Sequence, residues 1–93
     1  MVRTIHKFHL TGRKTVLELP EGTEALKLGQ QNGLVTLWCL VEKPPFVSPK
    51  VKLRKIAFSV YGTGWELPDD PGTFMDTVFI DEFVWHVFCK SID

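Results

Sequence analysis

Apolar residues in this chain recur with a period near two, and turn residues break that pattern at short intervals. No stretch combines a helical period with end caps and sufficient length. The pattern therefore predicts an all-β chain with at most one short helix. Strands are expected at residues 2–10, 14–19, 24–31, 34–42, 51–61, 73–80 and 82–90. Residues 24–31 also admit a short helical turn. About seven short strands of this kind fold as a small antiparallel sandwich or an open barrel. Asn32-Gly33 is a strong hairpin signal, because both residues tolerate positive φ. The run 34–42 is apolar on both faces, which places it centrally or covers it on both sides. Lys43 to Lys50 holds Pro44, Pro45 and Pro49 and reads as a stiff, extended loop.

The 93 residues suit a single domain spanning 1–93 with one core. At 44% apolar and 24% charged, the chain needs no disulfide or structural metal to fold. Eleven Lys+Arg balance eleven Asp+Glu, so no global field draws in DNA or an anionic membrane. No apolar run is long enough for a membrane helix. The start, Met1-Val2-Arg3-Thr4-Ile5, lacks the features of a signal peptide, so a cytoplasmic location is expected. Cys39 and Cys89 each sit in an apolar run and read as small buried hydrophobes.

Several pieces carry a resemblance. They are Ile5-His6-Lys7-Phe8, Leu19-Pro20-Glu21-Gly22, Gln31-Asn32-Gly33, Leu37-Trp38-Cys39-Leu40-Val41, Phe58 to Gly64, Leu67-Pro68, Thr77, and Val84-Trp85-His86-Val87-Phe88. In this order they resemble a family of small proteins from bacteriophages and prophages, a domain of unknown function. The Gly-Thr-Gly and Val-Trp-His-Val-Phe pieces are the most specific. The longer basic and Pro-rich insert from Lys43 to Lys55 departs from the family pattern. The resemblance implies a viral accessory role in the host cytoplasm and supplies no catalytic residue.

Candidate chemistry gathers in a few places. Gly62-Thr63-Gly64 lies at a strand end, where backbone N–H groups can approach an anion. The simpler reading is a tight turn needing positive φ. Trp65 follows on a loop, where it could stack on a base or cover a sheet edge. His86 sits within an aromatic strand, facing opposite to Trp85. It reads as a half-buried ring with local hydrogen bonds, because the sequence shows no partner that would orient it as a base. Lys50, Lys52 and Arg54 project from one face of their strand. They form either a solvated edge or a phosphate-binding row. His6 and His9 fall on opposite faces and cannot chelate one metal. No metal site or cofactor is expected.

The ligand-binding set expected from sequence is Lys52, Arg54, Gly62, Thr63, Gly64, Trp65 and His86. Three functions compete. The first is non-enzymatic sequestration of a small phosphate-bearing ligand, a nucleotide signal of antiviral defence. The second is binding and inhibition of a host protein through aromatics such as Trp65 and Phe46. The third is a phosphoesterase using His86 and Thr63. Spare apolar side chains in residues 34–41 and 83–89 further suggest a homo-oligomer.

Overall fold

The computed structural model describes residues 2–42 and 52–92. Seven antiparallel strands form two sheets, with no helix among the described residues. They are β1 (Arg3–His9), β2 (Lys14–Pro20), β3 (Glu24–Gln31), β4 (Leu34–Glu42), β5 (Leu53–Gly62), β6 (Thr73–Ile80) and β7 (Phe83–Ser91). The first sheet has the order β1-β4-β3 and the second β2-β5-β7-β6. The arrangement is sandwich-like. Each strand lies within two residues of its expected span, and 24–31 is a strand rather than a helical turn. The proline loop 43–50, with Phe46 and Lys50, lies outside the described residues.

Two tight hairpins fix local register. Asn32 and Gly33 have φ of 53° and 77°, so Gln31 faces Leu34 across a two-residue turn. At the β6–β7 turn Asp81 adopts φ 53°, and Ile80 faces Phe83. β4 is the centre of its sheet, as its doubly apolar pattern implies. Val35, Leu37, Cys39 and Val41 alternate into the core, opposite Phe58, Val60, Val78 and Val87 of the second sheet. Leu37 and Val87 have no exposed surface.

The second face of β4 is covered differently. Thr36 is fully buried there and donates its hydroxyl to the Leu34 carbonyl, 2.9 Å away. His9 Nδ1 lies 3.0 Å from the same hydroxyl oxygen. Trp38 points to this side too and lies beside Gly29, with its Cζ3 3.5 Å from where a Cβ on that glycine would stand. It covers the back of the sheet rather than filling the space between sheets.

The connection from β5 to β6, residues 63–72, has an unusual task. β5 and β6 run parallel to each other with β7 between them, so this segment must return along the length of β7. It is pinned at both ends. At the far end the Lys90 ammonium donates to the Asp70 carboxylate at 2.8 Å. The Lys90 hydrogen bond, its charge and the Gly72 N–H hold the Asp70 carboxyl below its ordinary value. That contribution is present above the usual carboxyl range and is lost as pH falls through the lowered value. Gly72, at φ 97°, sits so close to β7 that a Cβ would fall 2.4 Å from the Cys89 carbonyl oxygen.

Both cysteines are free thiols, Cys39 within the core and Cys89 packed against it. Burial pushes both thiols up, so less thiolate forms near neutrality. Iodoacetamide labelling followed by mass spectrometry should therefore proceed slower than for an unfolded control. Cys89 should react before Cys39, and both rates should rise only above the pH at which a free thiol responds. Labelling of Cys39 as fast as in denaturant would contradict this packing.

Candidate functional site

β5 ends at Gly62, and the chain then reverses in a turn closed by a hydrogen bond from the Trp65 N–H to the Gly62 carbonyl, 3.1 Å long. Gly64 is the third residue of this turn and has φ 88°, a conformation that disfavours any residue with a Cβ. The Thr63 N–H donates to the Val84 carbonyl at 3.3 Å. Two of the loop's backbone donors are thus spent inside the protein. This weakens the anion-nest idea and favours a structural turn.

Gly62 is glycine for another reason. A Cβ there would stand 2.8 Å from Trp65 Cε2, so the absent side chain is where the indole lies. Trp65 meets Trp85 edge-on, with ring centroids 5.6 Å apart. The Arg13 guanidinium lies over the Trp65 ring at 5.0 Å. That is cation–π distance. Trp65 nevertheless remains 44% exposed.

This corner walls a pocket of about 340 Å³ at one end of the sandwich. Val35 of β4 and Leu10, just past the end of β1, come from one side, and Val60, Ile80 and Trp85 from the other sheet. Among the described residues, Arg13 is the sole charged one in its lining. It is held in place because its carbonyl accepts the Val60 N–H at 2.9 Å. Phe83 stacks on Trp85 at 6.1 Å and remains 62% exposed. An apolar hollow with one cation and several flat rings suits a planar ligand bearing a negative group.

A second cleft, of about 300 Å³, also has Trp65 in its wall. Gly62, Thr63, Gly64, Trp65 and His86 all line it, with Tyr61, Phe74 and Phe88. His86 is half-buried at its centre. Its Nε2 lies 2.8 Å from Thr63 Oγ1 and its Nδ1 lies 3.0 Å from Thr77 Oγ1. A neutral imidazole donates from one nitrogen and accepts at the other, so one hydroxyl donates to the ring and the other accepts from it. The local hydrogen bonding expected of His86 is present.

Five of the seven residues picked from sequence thus come together. Lys52 and Arg54 do not join them. Arg54 stands eight residues before Gly62 on β5, about 26 Å along the strand. It pairs with Glu21 at 3.7 Å, and the Lys52 carbonyl accepts the Glu21 N–H at 2.7 Å. Both belong to the opposite end of the sandwich, where Arg54 shares a wider hollow with Glu21, Asp70 and Lys90. The cation beside Trp65 is Arg13, which lies between β1 and β2 and is not among the residues picked from sequence. Thr77 was also missed as a partner of His86. The register of the β6–β7 hairpin pairs the two directly.

The model of one family, a domain of unknown function (DUF7352), matches residues 1–93. The chain belongs to this family. No curated protein and no solved structure matches it. Membership in DUF7352 covers the whole chain and assigns no activity, so the site has to be read from its own chemistry. No group of His, Cys, Asp and Glu suited to a metal occurs among the described residues.

The Gly62–Trp65 contact is testable in isolation. Gly62→Ala should displace the Trp65 indole and lower stability by about 1–3 kcal/mol, as overpacking does. Near-UV circular dichroism should lose the signal of the Trp65–Trp85 pair. An unchanged near-UV spectrum and melting temperature would show that the indole does not occupy that space.

Proposed function

We propose that this DUF7352 protein is a non-enzymatic binding protein that sequesters a small phosphate-bearing ligand of nucleotide type. The observation that carries the proposal is the corner formed by Trp65, Trp85 and Arg13 over the apolar pocket. A base would enter the pocket and stack on the indoles, a contact worth about 1–3 kcal/mol per base. The phosphate would take the Arg13 guanidinium through charge-assisted hydrogen bonds. Arg13 fills the role that the sequence reading gave to Lys52 and Arg54. The phage setting rests on the resemblance in sequence alone. In that setting such a protein would hold a defence signal away from its receptor in the host cytoplasm.

One observation favours a second reading. Thr63, His86 and Thr77 form the hydrogen-bonded order that a nucleophile, a base and an orienting group adopt. Thr77 is a neutral hydroxyl, however, and cannot stabilise an imidazolium as a carboxylate does. Binding without turnover is therefore the preferred reading.

The test is a panel of cyclic and linear nucleotides, scored by melting temperature and by chromatography of the recovered ligand. A ligand should raise the melting temperature and be recovered intact. Trp65→Ala and Arg13→Ala should each weaken its binding about tenfold to a hundredfold. Both variants should keep the wild-type far-UV spectrum. Hydrolysed ligand would favour the enzymatic reading. If no nucleotide shifts the melt, the proposal is wrong.

A further inference from the structure

The outer face of the first sheet is built around one indole. Trp38 of β4 is half-buried there, with Lys7 of β1 directly opposite it on one side and Lys27 of β3 on the other. The three residues form a row across all three strands, and cross-strand partners share a face. Lys27 takes this place because the register shifts between Ala25 and Lys27. Leu26 is the extra residue, and in an unbroken ladder it would stand opposite Trp38. Bulges are built features that re-aim side chains. β6 has a like bulge between Phe74 and Asp76, but that one turns a ring outward rather than a cation.

Neither cation is neutralised. Among the described residues no carboxylate pairs with Lys7 or Lys27. The Lys7 ammonium donates to the neutral Gln31 Oε1 at 2.6 Å, which leaves its charge uncompensated. The acids of this face lie toward its Arg3 end, where Glu24 pairs with Arg3 at 3.7 Å and Glu42 stands opposite Arg3. Beside the indole the face is open. Gly29 has no side chain to fill it, and a hollow of about 370 Å³ remains, walled by Trp38, Lys27 and Gln30.

We propose that this face binds single-stranded nucleic acid, with one base stacked on Trp38 and the flanking phosphates on Lys7 and Lys27. The charge pattern selects a strand. A base inside a strand has a phosphate on each side, and this ring has an uncompensated cation on each side, their backbones roughly 10 Å apart. A free mononucleotide uses only one of them. An acidic peptide uses both and leaves the indole without a base. The face is also uncovered, so a strand can cross it without threading, whereas a duplex keeps its bases stacked on one another. Ile5, two residues before Lys7 and 60% exposed, gives the neighbouring base an apolar seat. The whole chain has formal net charge 0, so the attraction is local and rests on these two lysines. The inference does not rest on the ligand reading, because this hollow and the pocket under Trp65 share no residue.

The test is fluorescence anisotropy of a labelled oligothymidylate of about 15 nucleotides, titrated with protein between about 50 and 200 mM salt. The strand should bind in the micromolar range. The logarithm of its affinity should fall against log salt with a slope of about −1.4, two phosphate contacts at about −0.7 each. Lys7→Gln and Lys27→Gln should each bring the slope to about −0.7 and keep the wild-type far-UV circular dichroism. Trp38→Leu should weaken binding about tenfold to a hundredfold at an unchanged slope. If that variant unfolds, the two lysine variants decide alone. Lys14→Gln, the same charge change at an exposed residue of the other sheet, should match the wild type. No binding at about 100 μM protein in the lower salt, where two phosphate contacts still act, overturns the proposal. So does a slope that ignores Lys7 and Lys27, or a folded Trp38→Leu that binds normally. Thymidine monophosphate competing as well as the strand overturns it in favour of a free nucleotide, and polyglutamate competing as well overturns it in favour of an acidic chain.

Discussion

The burial of one face of β4 against β5 and β7 sets the geometry of the rest. Leu37 of β4 and Val87 of β7 both lie in that core, and neither retains any exposed surface. A strand can offer such a face only if its alternate residues are all apolar and its backbone groups are all paired. β4 meets both conditions, because β1 and β3 saturate its two edges. β5 and β7 are likewise interior to their sheet. The well-formed core thus lies where backbone hydrogen bonding is complete, and the sandwich thins toward its ends. At one end the facing side chains no longer meet. Leu10 and Val35 on one side, and Val60, Ile80 and Trp85 on the other, leave a pocket between them.

What closes that end is an insertion from the β5–β6 connection rather than another core residue. Residues 63–72 must retrace the length of β7, and a segment with no strand partners needs other anchors. Trp65 supplies one by lying in the space that Gly62 leaves, and Gly72 supplies the other by pressing on the β7 backbone. A ring held in this way is fixed yet not enclosed. Its edge meets Trp85, one face carries Arg13, and nearly half its surface stays in water. The same indole forms one wall of the pocket and one wall of the His86 cleft. A ligand in either hollow would touch the residue that also anchors the loop, so occupancy and loop order are coupled by construction.

How much of this could be read from the chain depends on how local each feature is. Strand positions and hairpin turns were legible, because period-two patterning and Asn32-Gly33 act within a few residues. The pairing of Thr77 with His86 was legible in principle, since it follows from counting outward from the turn at 81–82. The grouping of Gly62, Thr63, Gly64 and Trp65 was visible because they are consecutive. The company of Arg13 was not visible, because it depends on β2 pairing with β5 across some forty residues of chain. The separation of Arg54 from Trp65 could have been anticipated, since a strand's length is fixed by its residue count. The sequence also suggested surplus apolar groups in residues 34–41, yet those are mostly hidden, and the most exposed rings lie on β6 and at the start of β7.

The bulge in β6 shows why counting fails at such points. With strict alternation, Phe79 facing outward would send Phe74 into the core and Met75 out of it. The structure does the reverse. Met75 packs against the core, Phe74 turns outward, and Thr77 faces His86 in the same register. One extra residue thus does two things. It keeps the core filled, and it places an aromatic at 74 against Phe88, with ring centroids 5.5 Å apart. β3 carries a comparable shift between Ala25 and Lys27, and it lies against β6 on that side of the sandwich. Extra residues in facing strands sharpen local twist. The two sheets can therefore approach at this side without pairing, and the outer surface of β6 remains free to carry its rings.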